Sequence, residues 1–352
     1  MSLGIQPEDI ATWEQLQHDE KVARMKSILN KVRTLYDDNI PLFTKDTIRK
    51  VSEKLENCQK DASGRNRNVI LPGIDGVDYK TSVSLPPSQY THKRKKHLQH
   101  IRGPMWVINY CSIEHLLQER DVEFFDPTIA YLPMRILACT MELRLRPDDE
   151  NDLHVTSTEG LREAFCDIEQ KWKMSETYEQ LQAALAAVKT DFVLDKVIGV
   201  ALGPPVLITQ VNHHSIIQHA LITAIHSILL QTGVLSASSK RFVQDPIYTQ
   251  QEKDVLCSAG FTVLEGPQAF LTLDNSSILV SISPNVPVKQ IVADLCRPGI
   301  IIWDRKYKAD SILPTDPNSP RVDTMLEQEY YMLDFPSHES FGDLVMYIRK
   351  AT

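Results

Sequence analysis

The sequence predicts an α/β fold: a Rossmann-like, doubly wound, mostly parallel sheet behind a helical N-terminal extension. Two observations between Lys196 and Asp304 lead there. Five short apolar runs, at 196–202, 241–245, 261–264, 277–282 and 299–303, alternate with helical segments. Such alternation implies parallel strands with helices covering both faces of the sheet. The runs also break at turn-forming residues: Gly203-Pro204-Pro205, Asp245-Pro246 and Pro284-Asn285. Sheets of this kind bind ligands beyond the carboxyl ends of their strands, where the strand order reverses. Gly203, Asp245, Asn285 and Asp304 all fall just after strands and are the first residues to watch.

At 352 residues the chain exceeds a typical domain, so one large or two intimate domains are expected. The pattern divides into a helical arm over 1–60, an α+β segment over 61–190 and the α/β core over 191–352, the last closing with a strand and a helix. A net charge of -8 and a pI near 5.8 argue against general nucleic-acid binding. The six cysteines are scattered without metal-ligand spacing, as buried free thiols are. The first residues lack the charged and apolar regions of a signal peptide, and no apolar run reaches membrane-spanning length. A reduced, soluble protein of the cytoplasm or nucleus is expected, with no membrane partner.

In chain order, Trp13, Leu16, Val22, Met25, Ile28, Leu29, Val32 and Leu35 form a helical apolar stripe. Pro41 breaks it, and Thr44 caps a second helix carrying Ile48, Val51 and Leu55. The pair either docks on the core or binds a partner; docking is preferred, because Trp13 and the leucines need burial. From Lys60 to Pro87 the chain is polar and glycine-rich and reads as loop. His92–His97 is a dense basic run, either a solvated segment or a localisation or phosphate-binding patch. A strand follows at 103–110, a short helix at 112–119, and period-two alternation near the end of 131–146. The acidic stretch 146–152 lacks the spacing of a calcium loop. Helices at 158–172 and 175–188 lead onto the first core strand.

Within the core, the segment 218–230 is apolar on several faces, so it reads as a buried helix that stops at Gly233. Thr249-Gln-Gln-Glu252 is a capping box opening a helix that closes at Gly260. Residues 288–295 supply the helix between the last two strands. After Asp304 a proline-rich loop reaches an edge strand at 330–335, and Ser337-His-Glu-Ser340 opens a terminal helix to Arg349.

Gly203 alone is not a dinucleotide fingerprint, and Pro204 and Pro205 remove donors that a pyrophosphate would need. A conventional nicotinamide or flavin site is therefore not expected. Asp245 stands where a carboxylate often holds a nucleotide ribose; the plainer reading is a cap on the following turn. His213, His214, His219 and His226 suggest a metal, yet no neighbouring Cys, Asp or Glu completes a ligand set. Gly203, Gln218, Asp245, Tyr248 and Asn285 are expected to line one cleft at the carboxyl edge of the sheet. Gln218 would reach it from the start of its helix, where free backbone N–H groups favour a polar or anionic ligand. Tyr248 would offer a ring face or hydroxyl, Asp245 an acceptor and Asn285 a donor. No Ser-His-Asp order, nucleophile elbow or carboxylate pair is present, so nothing here requires catalysis.

The residues Leu202-Gly203, Gln218-x-Ala220, Asp245-Pro-Ile-Tyr248-Thr249-x-x-Glu252, Leu256-x-x-x-Gly260-Phe-Thr-Val263 and Pro284-Asn-Val-Pro287 resemble the SRR1-like domain. That family is named for sensitivity to red light reduced, and this variant resembles the fungal type. The resemblance spans roughly 196–305, and its Asp-Pro-x-Tyr-Thr block is the most specific part. Where the family often carries Pro-His-Cys-Pro, this chain has Pro284-Asn285-Val286-Pro287, so metal or thiol chemistry there is lost. The resemblance implies a regulatory role in signalling or homeostasis, with circadian timing and haem metabolism among its settings; it assigns no firm biochemical activity, and the cofactor is unknown. A rival from another class is a Rossmann-like transferase using a nucleotide or S-adenosylmethionine near Gly203 and Asp245. The partners expected are a small polar or anionic ligand, or a protein.

Overall fold

The structure is a computed structural model and describes residues 13–60, 66–84, 98–144, 155, 157–207, 210–306 and 315–351. The basic run His92–His97 and the acidic stretch 146–152 lie outside the described residues. The chain opens with α1 (His18–Asp37) and α2 (Lys45–Lys60). Thr44 caps α2 as predicted, its Oγ1 accepting from Thr47 N at 3.0 Å. Met25, Ile28, Leu29 and Val32 of α1 and Ile48, Val51 and Leu55 of α2 are buried.

The stretch 60–87, expected to be loop, forms a hairpin of β1 (Asn66–Pro72) and β2 (Asp78–Ser84). Val69 and Leu71 are buried while Ile70 is exposed, an alternation too short to stand out among polar neighbours. Asp75 and Gly76 (φ 78°) make the turn, with Asp75 accepting from Val77 N. Next come β3 (Leu98–Tyr110), the single turn α3 (Ile113–Leu116) and β4 (Met134–Arg144), with β3 and β4 paired as an antiparallel ribbon. Helices α4 (Thr158–Lys173) and α5 (Glu176–Ala186) are capped by Ser157 and Ser175.

The core then runs β5 (Leu194–Val200), the small hairpin β6 (Val206–Leu207) and β7 (Gln210–Val211), α6 (His213–Gln231) and β8 (Leu235–Gln244). It continues through α7 (Gln250–Ser258), β9 (Thr262–Val263), α8 (Gln268–Thr272), β10 (Ser277–Ser281), α9 (Val288–Leu295) and β11 (Ile300–Asp304). It ends with α10 (Pro320–Glu329), β12 (Tyr330–Asp334) and β13 (Leu344–Arg349). The seven strands lie in the order β12-β13-β11-β10-β5-β8-β9. From β11 to β9 the neighbours are parallel; β13 and β12 are antiparallel. This is the Rossmann-like, doubly wound, mostly parallel sheet that the alternation predicts.

Period-two burial splits the core between the two faces of the sheet. Ile198, Val200, Leu279, Ile301 and Trp303 pack toward the N-terminal helices and α8–α10, whereas Val197, Ile278, Val280, Ile300 and Ile302 pack toward α4–α7. From β5 the chain winds outward through β8 to β9, then crosses back to β10 and winds outward to β11. The strand order therefore reverses between β5 and β10, the position at which sheets of this kind hold their ligands.

Two elements differ from expectation near the C-terminus. Residues 344–349 are the strand β13, not a helix, lying between β11 and β12. Leu344, Val345 and Met346 are buried consecutively, so no period-two signal marks the strand. The proline-rich segment contains α10, in which Ser319 is the cap and Pro320 occupies the first turn, where proline is tolerated. No helix among the described residues is long and apolar enough to cross a membrane.

The N-terminal helices are anchored to the core by Asp294 of α9. Its Oδ2 accepts from Leu42 N (2.7 Å) and Phe43 N (3.1 Å), and its Oδ1 from Arg321 Nη1 (3.0 Å). Arg321 also donates to Tyr36 O and to Ile40 O (2.8 Å), and its guanidinium lies 3.8 Å from the centre of the Tyr36 ring. Lys45 Nζ reaches Leu273 O at 2.6 Å. Asp294→Ala leaves two amides without their acceptor and removes one of the three acceptors of the Arg321 guanidinium. It should cost about 3 to 5 kcal/mol in urea unfolding and expose the α1–α2 connection to limited proteolysis. Unchanged stability and cleavage would assign the docking to apolar contacts alone.

Candidate functional site

At the switch point both central strands end in strained turns. After β5, Ala201 has φ 59° and Gly203 φ 71°; after β10, Ser283 has φ 44°. Each turn is caught by an aspartate from the next strand outward. Asp245, just past β8, accepts from Gly203 N through Oδ2 and from Ile247 N through Oδ1, both at 3.0 Å. Asp304, at the end of β11, accepts from Ser283 N (2.6 Å) and Ser283 Oγ (3.2 Å). Burial raises both carboxyl pKa values, and the N–H groups they accept from oppose that rise. Gly203 is fixed from its other side as well, its carbonyl accepting from Ser215 Oγ at 2.7 Å.

Above these turns lies a cavity of about 820 Å³, and Gly203, Gln218, Asp245, Tyr248 and Asn285 all line it. Asp304 is not among the lining residues and acts beneath the floor. The opposite wall comes from outside the α/β core: Leu55 and Gln59 of α2, Trp106 to Tyr110 of β3, and Leu137 to Cys139 of β4. No local pattern marks this roof, because the packing that forms it joins segments far apart in the chain. Ala201 carried no signal either, since nothing in composition marks an alanine with positive φ.

The five residues occupy the wall in different ways. Gln218 is not at a helix start. The helix α6 begins at His213 under an Asn212 cap, so Gln218 lies inside it, and its Nε2 donates to Ser340 O at 2.6 Å. The polar pair His213-His214 hid that first turn. The Tyr248 ring is buried and its hydroxyl sits 2.7 Å from His219 Nε2, so the hydroxyl is already engaged. His219 Nδ1 lies 2.7 Å from Ser215 O, which places the proton on Nδ1 and makes Nε2 the acceptor of the Tyr248 hydroxyl. Burial lowers the His219 pKa to about 4, keeping the ring neutral. Asn285 is exposed, and its side chain forms no hydrogen bond to another described residue.

Among the described residues no three of His, Cys, Asp and Glu converge as metal ligands. The candidate histidines engage separate partners: His214 Nδ1 lies 3.1 Å from Ser340 Oγ, and His226 Nε2 lies 3.0 Å from Ser239 Oγ. The arrangement is thus a cavity whose floor turns are left-handed and hydrogen-bonded in place.

Residues 179–348 match the SRR1 domain, so this part of the chain carries an SRR1-like domain, wider than the 196–305 span over which the sequence resembled it. No curated protein matches the chain. Among solved structures, a Corynebacterium glutamicum protein is 14% identical, covering 56% of this chain and 93% of its own, with a TM-score of 0.33. A cofactor-bound protein from MTB is 11% identical over 55% of this chain and 90% of its own, with a TM-score of 0.32. Haemonchus contortus phosphoethanolamine N-methyltransferase 2, in complex with S-adenosyl-L-methionine, is 10% identical over 66% of this chain and 54% of its own, with a TM-score of 0.27. At such identities and scores no functional argument follows from the likeness.

Two measurements test the floor. The His219 pKa falls from 6.5 to about 4 on folding, so between those values the unfolded chain binds the extra proton. Stability should therefore fall as pH drops through that window, by about 3 kcal/mol in all. The difference in unfolding free energy between wild type and His219→Gln isolates this contribution; a difference independent of pH would contradict it. Ala201→Gly relieves a left-handed residue and should raise stability by about 0.5 to 1 kcal/mol. A loss of stability in urea unfolding would show that Ala201 is not strained.

Proposed function

We propose that the chain, with its SRR1-like domain at 179–348, is a regulatory protein that responds to a small ligand held at the carboxyl edge of its sheet. One observation carries the reading. Among the described residues, Asn39, Ala201 and Ser283 are the non-glycine positions with positive φ, and two of the three line this cavity. Such conformations cost on the order of 1–2 kcal/mol each and persist where the surroundings enforce them, which is typical of ligand clamps. Their place at the switch point and a volume within the range of small-ligand pockets support the same reading.

In this reading Gly203, Gln218 and Asn285 face the ligand, while Asp245 and Tyr248 shape the wall through their own hydrogen bonds. The signalling or homeostatic setting, circadian or haem-linked, in the cytoplasm or nucleus of a fungus, belongs to the proposal through the family resemblance. A transferase would use the same cavity and would reveal itself by turnover of its ligand.

The test is a thermal-shift panel of nucleotides, S-adenosylmethionine and haem. A ligand at hundredfold excess over its Kd stabilises by about 2.7 kcal/mol. The shift should vanish in Ala138→Phe, which adds bulk at a position lining the cavity. Silence across the panel, or a shift that survives Ala138→Phe, would overturn the cavity as the site.

A further inference from the structure

Resting on that reading, we infer that the cavity takes an uncharged, planar ligand of the nucleoside class and discriminates against phosphates, with aromatic residues outside the SRR1-like domain setting the preference. The backbone donors at the floor turn are committed or missing. Gly203 N donates to Asp245, Pro204 and Pro205 have no N–H, and Ser215 N in the first turn of α6 is taken by the Asn212 side chain. The charges point the same way. Among the described residues of the wall, Asp245 and Glu265 are acidic, and the single lysine, Lys253, is paired with Glu265. A phosphate would meet Asp245 with no free lysine or arginine to offset it.

What the wall leaves open is neutral. Tyr110 is half-buried, with its ring centroid 5.5 Å from that of Phe270, and burial alone raises its hydroxyl pKa. That hydroxyl forms no hydrogen bond to another described residue, nor do the side-chain amides of Gln244 and Asn285, and all three residues line the cavity. Neutral donors and acceptors beside the aromatic faces of Trp106, Tyr110 and Phe270 match a heterocycle, which stacks on such rings and hydrogen-bonds at its edge. Trp106 and Tyr110 belong to β3, outside the 179–348 match, so ligand preference is carried by the N-terminal half of the chain.

Isothermal titration of the full chain with adenosine, guanosine, cytidine and uridine, each beside its 5′-monophosphate, tests this directly. At least one nucleoside should bind, with its monophosphate at least tenfold weaker. Tyr110→Phe should weaken that nucleoside about tenfold at an unchanged melting temperature, and Asn285→Ala, at an exposed position, gives a second variant free of folding effects. A monophosphate binding as tightly as its nucleoside overturns the neutral class and leaves the ligand site standing. Full affinity in both variants overturns the assignment of the wall. No binding by any nucleoside overturns this inference, and the haem and S-adenosylmethionine arms of the thermal-shift panel then decide the site reading separately.

Discussion

The architecture depends on one desolvated carboxylate. Asp294 stands on α9 inside the SRR1-like domain, yet its oxygens receive two amides of the α1–α2 connection and the guanidinium of Arg321. A buried carboxylate is tolerated only when its acceptor sites are filled, so the position of α2 is tightly specified. Because α2, β3 and β4 pack together, that placement also positions the ribbon that faces the sheet. With the ribbon in place, residues of α2, β3 and β4 roof the crevice at the switch point.

Beneath the roof the same device appears twice. Asp245 holds the turn after β5, and Asp304 holds the turn after β10. Hydrogen bonds to an ionised carboxylate contribute about 1.5–3 kcal/mol each, enough to offset a left-handed residue at on the order of 1–2 kcal/mol. Two central strands can therefore end in conformations that alanine and serine rarely adopt. The floor of the cavity is held at both turns by these carboxylates.

Much of this was legible in the sequence where a local rule operates alone. Thr249 and Glu252 form the expected capping box, with Glu252 Oε2 accepting from Thr249 N at 2.6 Å, and the helix at 288–295 ends where its apolar pattern ends. Gly203, Asp245 and Asn285 share one cavity because parallel strands deliver their loops to one edge. The misses have equally local causes. Burial on both faces erased the strand signal at 344–349, a proline read as a breaker was the first residue of α10, and two histidines disguised the opening of α6. The roof was out of reach for a different reason: tertiary pairing, not pattern, brings Trp106 and Tyr110 to the cavity.

The placement of β13 also constrains the order in which the sheet can assemble. It follows β12 in sequence but lies inside it, with Tyr347 pairing Ile301 on one side and Met332 on the other. β12 joins the sheet only through β13, and Tyr331, Met332 and Leu333 on it are exposed. The β11–β13 pairing that seats this flank joins segments separated in the chain by α10 and β12. Non-local pairings of this kind are late and slow steps in folding, and they leave an apolar strand open to wrong partners in the interval.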